Sequence, residues 1–403
     1  MTCSNAKNNK KFIMQFVFYY VGQMLCMGSI VQTFLFTAGF SESEVYVFNS
    51  ITQIAQVVMM LAMMFLSPRI KRVKHVTALS YLSMAIMAAV FLLGAADRSV
   101  LGSSYIITVF IVAAVSYSGL GVYTVMSYCL PYYVMDMKEY GKVTATCAIL
   151  SGVVSFAVSL LHTLLVAGMD YMQAMVAFFA LAIISIIMTS VTCLLLKEKA
   201  PDLQVGRTAK DEVLAVFKNK DTYFLILPNF ARGLSVGIMN VITVIAMANS
   251  IVNEQTASYI NVLMQVAMLG GNLLYIVLYK RLSSRTILIL SATLTSVFLP
   301  LCLGGGLEWF LTAFFVAYLM RMIVDTTIPV MITEIIPQNQ IGAYTSIRML
   351  IFTGAQAVAT MIITPLVGII GYVGLLIFAG AMQMVCGLAY WLVAKSHASK
   401  KEI

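Results

Sequence analysis

Charge is scarce in this chain. Asp, Glu, Lys and Arg make up only 10% of its 403 residues, against about 25% in an ordinary soluble domain. Hydrophobic residues make up 61%. A water-soluble fold is excluded, because even a large domain buries only about 75% of the surface its unfolded chain exposes. The seven cysteines, Cys3, Cys26, Cys129, Cys147, Cys193, Cys302 and Cys386, are odd in number and contain no C-x-x-C pair. Most lie in apolar runs and read as small buried hydrophobes, not as a disulfide or metal framework. No Gly-rich loop ending in Lys-Ser or Lys-Thr is present, which argues against ATP-driven work by this chain alone. No catalytic constellation appears either, so neither an enzyme nor a bound cofactor is expected. The first apolar run is too long for the core of a cleaved signal peptide and lacks its small-residue exit.

What the chain does have is long apolar runs. They cover about 12–36, 45–66, 76–95, 103–130, 143–168, 171–196, 221–248, 256–280, 286–306, 308–334, 342–368 and 371–394. Each is long enough to cross about 30 Å of hydrocarbon as a helix. Only helices fit, because unpaired backbone groups in lipid cost several kcal/mol each. The expectation is an all-α membrane protein with twelve transmembrane helices, solvated by lipid.

The net charge of +9 would suit nucleic acid or a membrane surface, and its placement favours the membrane. The termini and the even-numbered connections hold 21 of the 25 basic residues. Odd-numbered connections hold one, Arg98, and carry Glu42, Glu44, Asp97, Asp170, Glu254 and Glu308 instead. By the positive-inside rule both termini are expected to be cytoplasmic. The longest polar stretch, 197–220, is read as a cytoplasmic linker between bundles at 1–196 and 221–403.

The two halves repeat. Asn49, Gln53 and Arg69 recur as Asn261, Gln265 and Arg281 at a constant shift of 212 residues. Leu130-Pro131 with Asp136 recurs as Ile328-Pro329 with Glu334, and Tyr123 corresponds to Arg321 at a shift of 198. Duplication of a six-span unit predicts two pseudo-symmetric six-helix bundles around an axis along the membrane normal.

Read this way, the chain resembles the major facilitator superfamily from about Phe12 to Lys395. That family has a Gly, Asp-Arg, Gly and basic signature between its second and third helices. Here the segment is Ser67-Pro68-Arg69-Ile70-Lys71-Arg72, with Arg69 and Arg72 matching and Pro68 in place of the usual Asp. The resemblance implies a latch built on Arg69, Arg72 and the repeat's Arg281, short of its usual acid but within reach of Asp136 or Glu334. Arg348, about two turns from the cytoplasmic end of its helix, reads from its position as a structural or gating residue that could pair with Glu334. The Gly-Pro motif of drug antiporters is absent from Leu150-Ser151-Gly152-Val153-Val154-Ser155. Asp136-Met137-Lys138-Glu139-Tyr140-Gly141 is similar to segments of sodium–sugar symporters of the glycoside–pentoside–hexuronide group. That group uses acidic residues in its second helix, and none lies between Val45 and Leu66.

Ionisable residues inside spans are expensive and point to function by default. They are Arg232, Arg321, Arg348 and Asp325. Arg321 and Asp325 lie one turn apart near mid-depth, on one helical face. They read as a substrate-facing pair in which Asp325 binds the coupling proton, or as a structural ion pair. Arg232 has no acid partner in its own helix and is expected to meet an anionic solute, with Asn240 near its face. In the first half Gln23, Gln53 and Tyr123, and in the second Asn261 and Gln265, are candidate hydrogen-bonding contacts, though packing explains each singly. His162 reads as a solvated or capping residue near the outer end of its helix.

The expected function is a secondary transporter in the cytoplasmic membrane. It would move a small polar or anionic organic solute by alternating access, with protons as a possible partner, and a monomer suffices for that architecture. Export of amphipathic drugs, and a non-transporting sensor with a transporter-like body, are the alternatives.

Overall fold

A computed structural model describes residues 3–66, 70, 72–135, 137–198, 220–335 and 341–401. Among them the chain is helical throughout its long elements, as the cost of unpaired backbone in lipid requires. α1 (Cys3–Cys26) and α2 (Gly28–Thr37) make the first span, followed by α3 (Glu42–Leu66), α4 (Val73–Ala96), α5 (Ser103–Val134), α6 (Met137–Gly168) and α7 (Tyr171–Leu194). α8 (Lys220–Met239) and α9 (Ile242–Ala248) make the seventh span, followed by α10 (Glu254–Tyr279), α11 (Ser284–Leu301) and α12 (Leu307–Ile335). The segment from Ile341 to Lys401 divides at Gly371, whose φ of 67° is non-helical, into α13 (341–370) and α14 (372–401). Glycine accepts that dihedral without a Cβ clash. Among the described residues, with Ile341–Lys401 divided at Gly371, the helices make twelve apolar spans.

The first and the seventh span are both interrupted. α1 stops at Cys26 and α2 starts at Gly28, with φ of 67°. α8 stops at Met239 and α9 starts at Ile242, with a bend of 42° between them. Gly28 and Asn240 stand 212 residues apart, the shift that relates Asn49 to Asn261. The hydropathy of 12–36 and 221–248 predicts unbroken helices, and the breaks correct that expectation.

The chain forms two compact units. One comprises Met1–Gly206 with Glu254–Val262, the other Arg207–Asn253 with Leu263–Ile403. The expected linker at 197–220 falls largely outside the described residues. In the first unit Phe34 packs edge to face on Phe91 and on Phe179, with centroids 5.6 and 4.9 Å apart, and Phe178 is buried as well. Its α3 and α5 approach so closely that a Cβ on Gly121 would lie 2.6 Å from the Gln56 carbonyl oxygen. The last carbonyls of α7 have no helical partner of their own. Lys11 Nζ donates to Leu195 O at 2.8 Å, and Lys74 Nζ donates to Leu194 O and Leu196 O at 3.0 and 2.8 Å. Positive charge at a helix C-terminus also suits the macrodipole. In the second unit α8 packs on α13, and a Cβ on Gly233 would lie 2.5 Å from the Phe352 carbonyl oxygen.

Candidate functional site

The site grows from one face of α12. Arg321 and Asp325 are four residues apart, so both project from that face, with Arg321 Nε 3.7 Å from Asp325 Oδ2. The closer partner of Asp325 is Arg232 of α8, whose Nη2 donates to Oδ1 in a short ion pair. Arg232 is therefore not a lone cation, as its own helix predicts. An acid 93 residues away on a neighbouring helix neutralises it.

Aromatic faces and an amide complete the surroundings. The Arg232 guanidinium lies 4.7 Å from the Phe352 ring centroid, and that of Arg321 lies 5.1 Å from the Tyr318 ring centroid. Such contacts add most where water is excluded. Arg321 Nη1 donates to Asn240 Oδ1 at 3.4 Å, which ties the triad to the break between α8 and α9. The side chains of Arg232 and Arg321 are 8% and 9% exposed, whereas Asp325 is 26% exposed. The carboxylate is thus the accessible member of a cluster with two cations and one anion. Below it Asn229 donates to Tyr390 Oη at 2.8 Å and to Tyr344 Oη at 3.4 Å. Asn229 shares the face of Arg232 by its spacing of three residues, whereas Phe352, Tyr318, Tyr344 and Tyr390 join the site without any sequence signal beyond an aromatic residue in an apolar helix.

In the first unit the corresponding region holds no charge. Gln15 Nε2 donates to Tyr123 Oη at 2.7 Å. Tyr19 stacks on Tyr123 with centroids 4.7 Å apart, and Tyr81 donates its hydroxyl to Tyr19 O at 3.1 Å. Tyr123 is buried, while Tyr19, Gln23 and Gln53 are half-buried. Gln56 donates weakly to Thr124 Oγ1 at 3.4 Å. Ser29 donates a short bond to Asn261, so that candidate is engaged within the protein. One turn further along α10, Gln265 is half-buried and its carbonyl oxygen has no partner.

The other candidates separate. Arg72 and Arg281 are exposed. Arg348 is half-buried, its Nη2 3.9 Å from Met349 Sδ and its Nε partnerless. Arg69 and Asp136 lie outside the described residues, as does the side chain of Glu334, so the latch they were expected to form is not seen. His162 is not solvated. It is 2% exposed, sits edge-on to Phe178 with centroids 4.8 Å apart, and neither ring nitrogen has a partner. The reason is that α6 turns Ser151, Ser155, Ser159 and His162 inward as one buried face. Among the described residues no cluster of three or more His, Cys, Asp or Glu is placed to hold a metal ion.

The sequence profile of a family described as "MFS/sugar transport protein" matches residues 120–392. No curated protein matches the chain. Among solved structures the chain is similar to a D-xylose–proton symporter, with a TM-score of 0.71 and 12% identity over 95% of this chain and 97% of that one. It is similar to the E. coli fucose:proton symporter FucP, with a TM-score of 0.64 and 13% identity over 98% and 99%. It is also similar to a variant of the nucleoside transporter NupG, with a TM-score of 0.64 and 16% identity over 96% and 99%. At such identities these likenesses speak to the fold alone.

Proposed function

Because the chain belongs to the MFS/sugar transport protein family of the major facilitator superfamily, we propose that it carries a small hydroxylated organic anion by alternating access, with Asp325 as the proton-binding group. The observation that carries this reading is the charge balance of the triad: two guanidinium groups share a single carboxylate. The surplus positive charge lies beside the one accessible member. A carboxylate or phosphate on the solute would complete the balance by a charge-assisted bond to Arg321, the looser partner of Asp325. Arg321 would then exchange Asp325 for the solute, and Asp325 would be released to take up a proton. Solute and proton would move together. Arg232 would stay as the fixed base of the site, with Asn240 orienting Arg321.

The remaining assignments are part of the same proposal. The membrane is the cytoplasmic one, both termini are cytoplasmic by the distribution of basic residues, and the 1–196 and 221–403 bundles are the moving parts. Arg72, Arg281 and Arg348 act at the basic face as gating residues. A second reading, transport of a neutral sugar, is favoured by the family's description and by the tyrosine cluster around Tyr123.

Purified protein in liposomes decides between them. Uptake of sugar acids and sugar phosphates, matched with their neutral parent sugars, is measured under an inside-alkaline pH gradient. The proposal expects concentrative uptake of the anion, loss of that uptake in Arg321→Gln, and exchange without accumulation in Asp325→Asn. Preference for the neutral sugar with unaltered affinity in Arg321→Gln would overturn the anion, and undiminished accumulation by Asp325→Asn would remove Asp325 from coupling. Binding without movement would identify a sensor.

A further inference from the structure

Beside the triad, Ser235, Gln383 and Arg232 hold four buried polar atoms without hydrogen-bond partners. Tyr344 and Tyr390 are 46 residues apart, yet their hydroxyls lie 3.5 Å from each other. α14 therefore folds back along α13. α13 runs parallel to α8, since Gly233 packs on Ala355 and Gly237 on Ala359, so α14 runs antiparallel to α8. The Asn229–Tyr390 bond sets the register. Six residues onward along α8 is Ser235, and seven residues back along α14 is Gln383. At about 1.5 Å per residue these steps are nearly equal, so the two residues stand at one level. Asn229, Arg232 and Ser235 share one face of α8, and Gln383, Cys386 and Tyr390 share one face of α14. Ser235 and Gln383 are both fully buried, at 0% exposure. Ser235 Oγ, both amide atoms of Gln383 and, one turn away, Arg232 Nε have no hydrogen-bond partner in the structure.

Buried hydroxyls and amides are almost always bonded, and water supplies the partner where protein does not. We propose that Ser235, Gln383 and Arg232 Nε form a buried hydration socket, whose bound water supports Arg232 independently of Asp325. The donors and acceptors match. Arg232 Nε can only donate, Gln383 offers one acceptor and two donor hydrogens, and Ser235 does both. A water accepting from Arg232 Nε donates onward to Gln383 Oε1 and Ser235 Oγ. Ser235 and Gln383 are thereby positioning residues for Arg232. The site itself stands apart from the transport proposal. Its use, keeping the Arg232 guanidinium solvated when Asp325 takes up its proton and no longer balances the charge, rests on that proposal.

Two measurements test it without any substrate. Brief radiolysis of the purified protein generates hydroxyl radicals from bound water and oxidises side chains beside it. Cys386, three residues from Gln383 and fully buried, is expected to be oxidised in the wild type and severalfold less in Ser235→Ala/Gln383→Leu. No oxidation in the wild type, or equal oxidation in both, overturns the socket. So does a higher melting temperature in Gln383→Leu, since that is what removing dry, unbonded groups would produce. The second measurement is a double-mutant cycle in melting temperature between Gln383→Leu and Asp325→Asn, with Ser235→Ala in place of Gln383→Leu should the pair not fold. Support for Arg232 predicts a larger loss in the Asp325→Asn background than in the wild type. Additive losses overturn the positioning role. Because neither arm uses transport, failure here is distinct from failure of the carrier proposal.

Discussion

The N-terminal bundle fills its centre with tyrosines where the C-terminal bundle places charges. The internal repeat makes the comparison position by position. Arg321 corresponds to Tyr123 and Asp325 to Ser127 at the same shift of 198, and Arg232 corresponds to Tyr20 at the shift of 212. Tyr123 is buried with Gln15 on its hydroxyl, and Arg321 is buried with Asp325 and Asn240 around it. One scaffold thus accommodates either solution. The fold does not need an ion cluster at this position, because its twin does without one. Buried ion pairs are weak evidence of stabilisation in general, since desolvation offsets their attraction. The charges of the second bundle are therefore best explained by work, and the tyrosines of the first by packing and shape.

The sharpest way to break this comparison is to strand the cations. Asp325→Leu leaves Arg232 buried and uncompensated, at a cost of about 3–5 kcal/mol, and should lower the melting temperature steeply in detergent. Ser127→Ala at the twin position should stay within about 0.5 kcal/mol of the wild type. Replacing all three charges at once, as Arg232→Met/Arg321→Met/Asp325→Leu, should fold as well as the wild type while uptake disappears. If that triple variant instead melts as low as Asp325→Leu, the charges serve the fold and the contrast between bundles collapses. Helix packing should treat the bundles alike. Gly121→Ala and Gly233→Ala each force a Cβ against a carbonyl oxygen and should each cost about 1–3 kcal/mol in thermal unfolding. Tyr123→Phe removes the partner of Gln15 and should cost about 1 kcal/mol. A much larger loss there would mean that the tyrosine cluster is held by polar bonding more than by packing.

The smallest effects belong to the outer loops. The Arg98–Asp170 pair spans 3.1 Å, and both side chains are about half exposed or more. Arg98→Ala should cost at most about 1 kcal/mol, and less in high salt. Nearby, the Ser99 hydroxyl and then its backbone N–H hold the Asp97 carboxyl below its usual range. A depressed carboxyl stabilises above its unfolded value and loses that contribution as pH falls through the folded one. The protection factor of the Ser99 amide, corrected for the pH dependence of intrinsic exchange, should therefore fall on acidification below about pH 4, and Ser99→Ala should shift that onset upward.

The spans were legible because lipid leaves so few alternatives: a run of about twenty apolar residues must be a helix. The helix breaks were not legible. Hydropathy averages over a turn, and a single Gly28 or Asn240 inside an apolar run does not disturb it. In the site, the Arg321–Asp325 pair was readable because four residues make one turn. The stronger Arg232–Asp325 contact was not, because it depends on how far α8 and α12 are rotated about their own axes. Gln383 gave no more warning than any lone amide in an apolar helix, and its fellow orphan Ser235 gave none. His162 misled for a related reason: distance from a helix end says nothing about which side of the helix a ring occupies.

The paired interruptions at Gly28 and Asn240 have an electrostatic consequence. A helix that stops leaves its last carbonyls without in-helix partners, and their partial negative charge favours a nearby cation. At Asn240 one is present, because Arg321 donates to the side-chain oxygen at 3.4 Å. Gly28 has no side chain with which to hold a cation in that way, so the two breaks share a shape but differ in what they can bind.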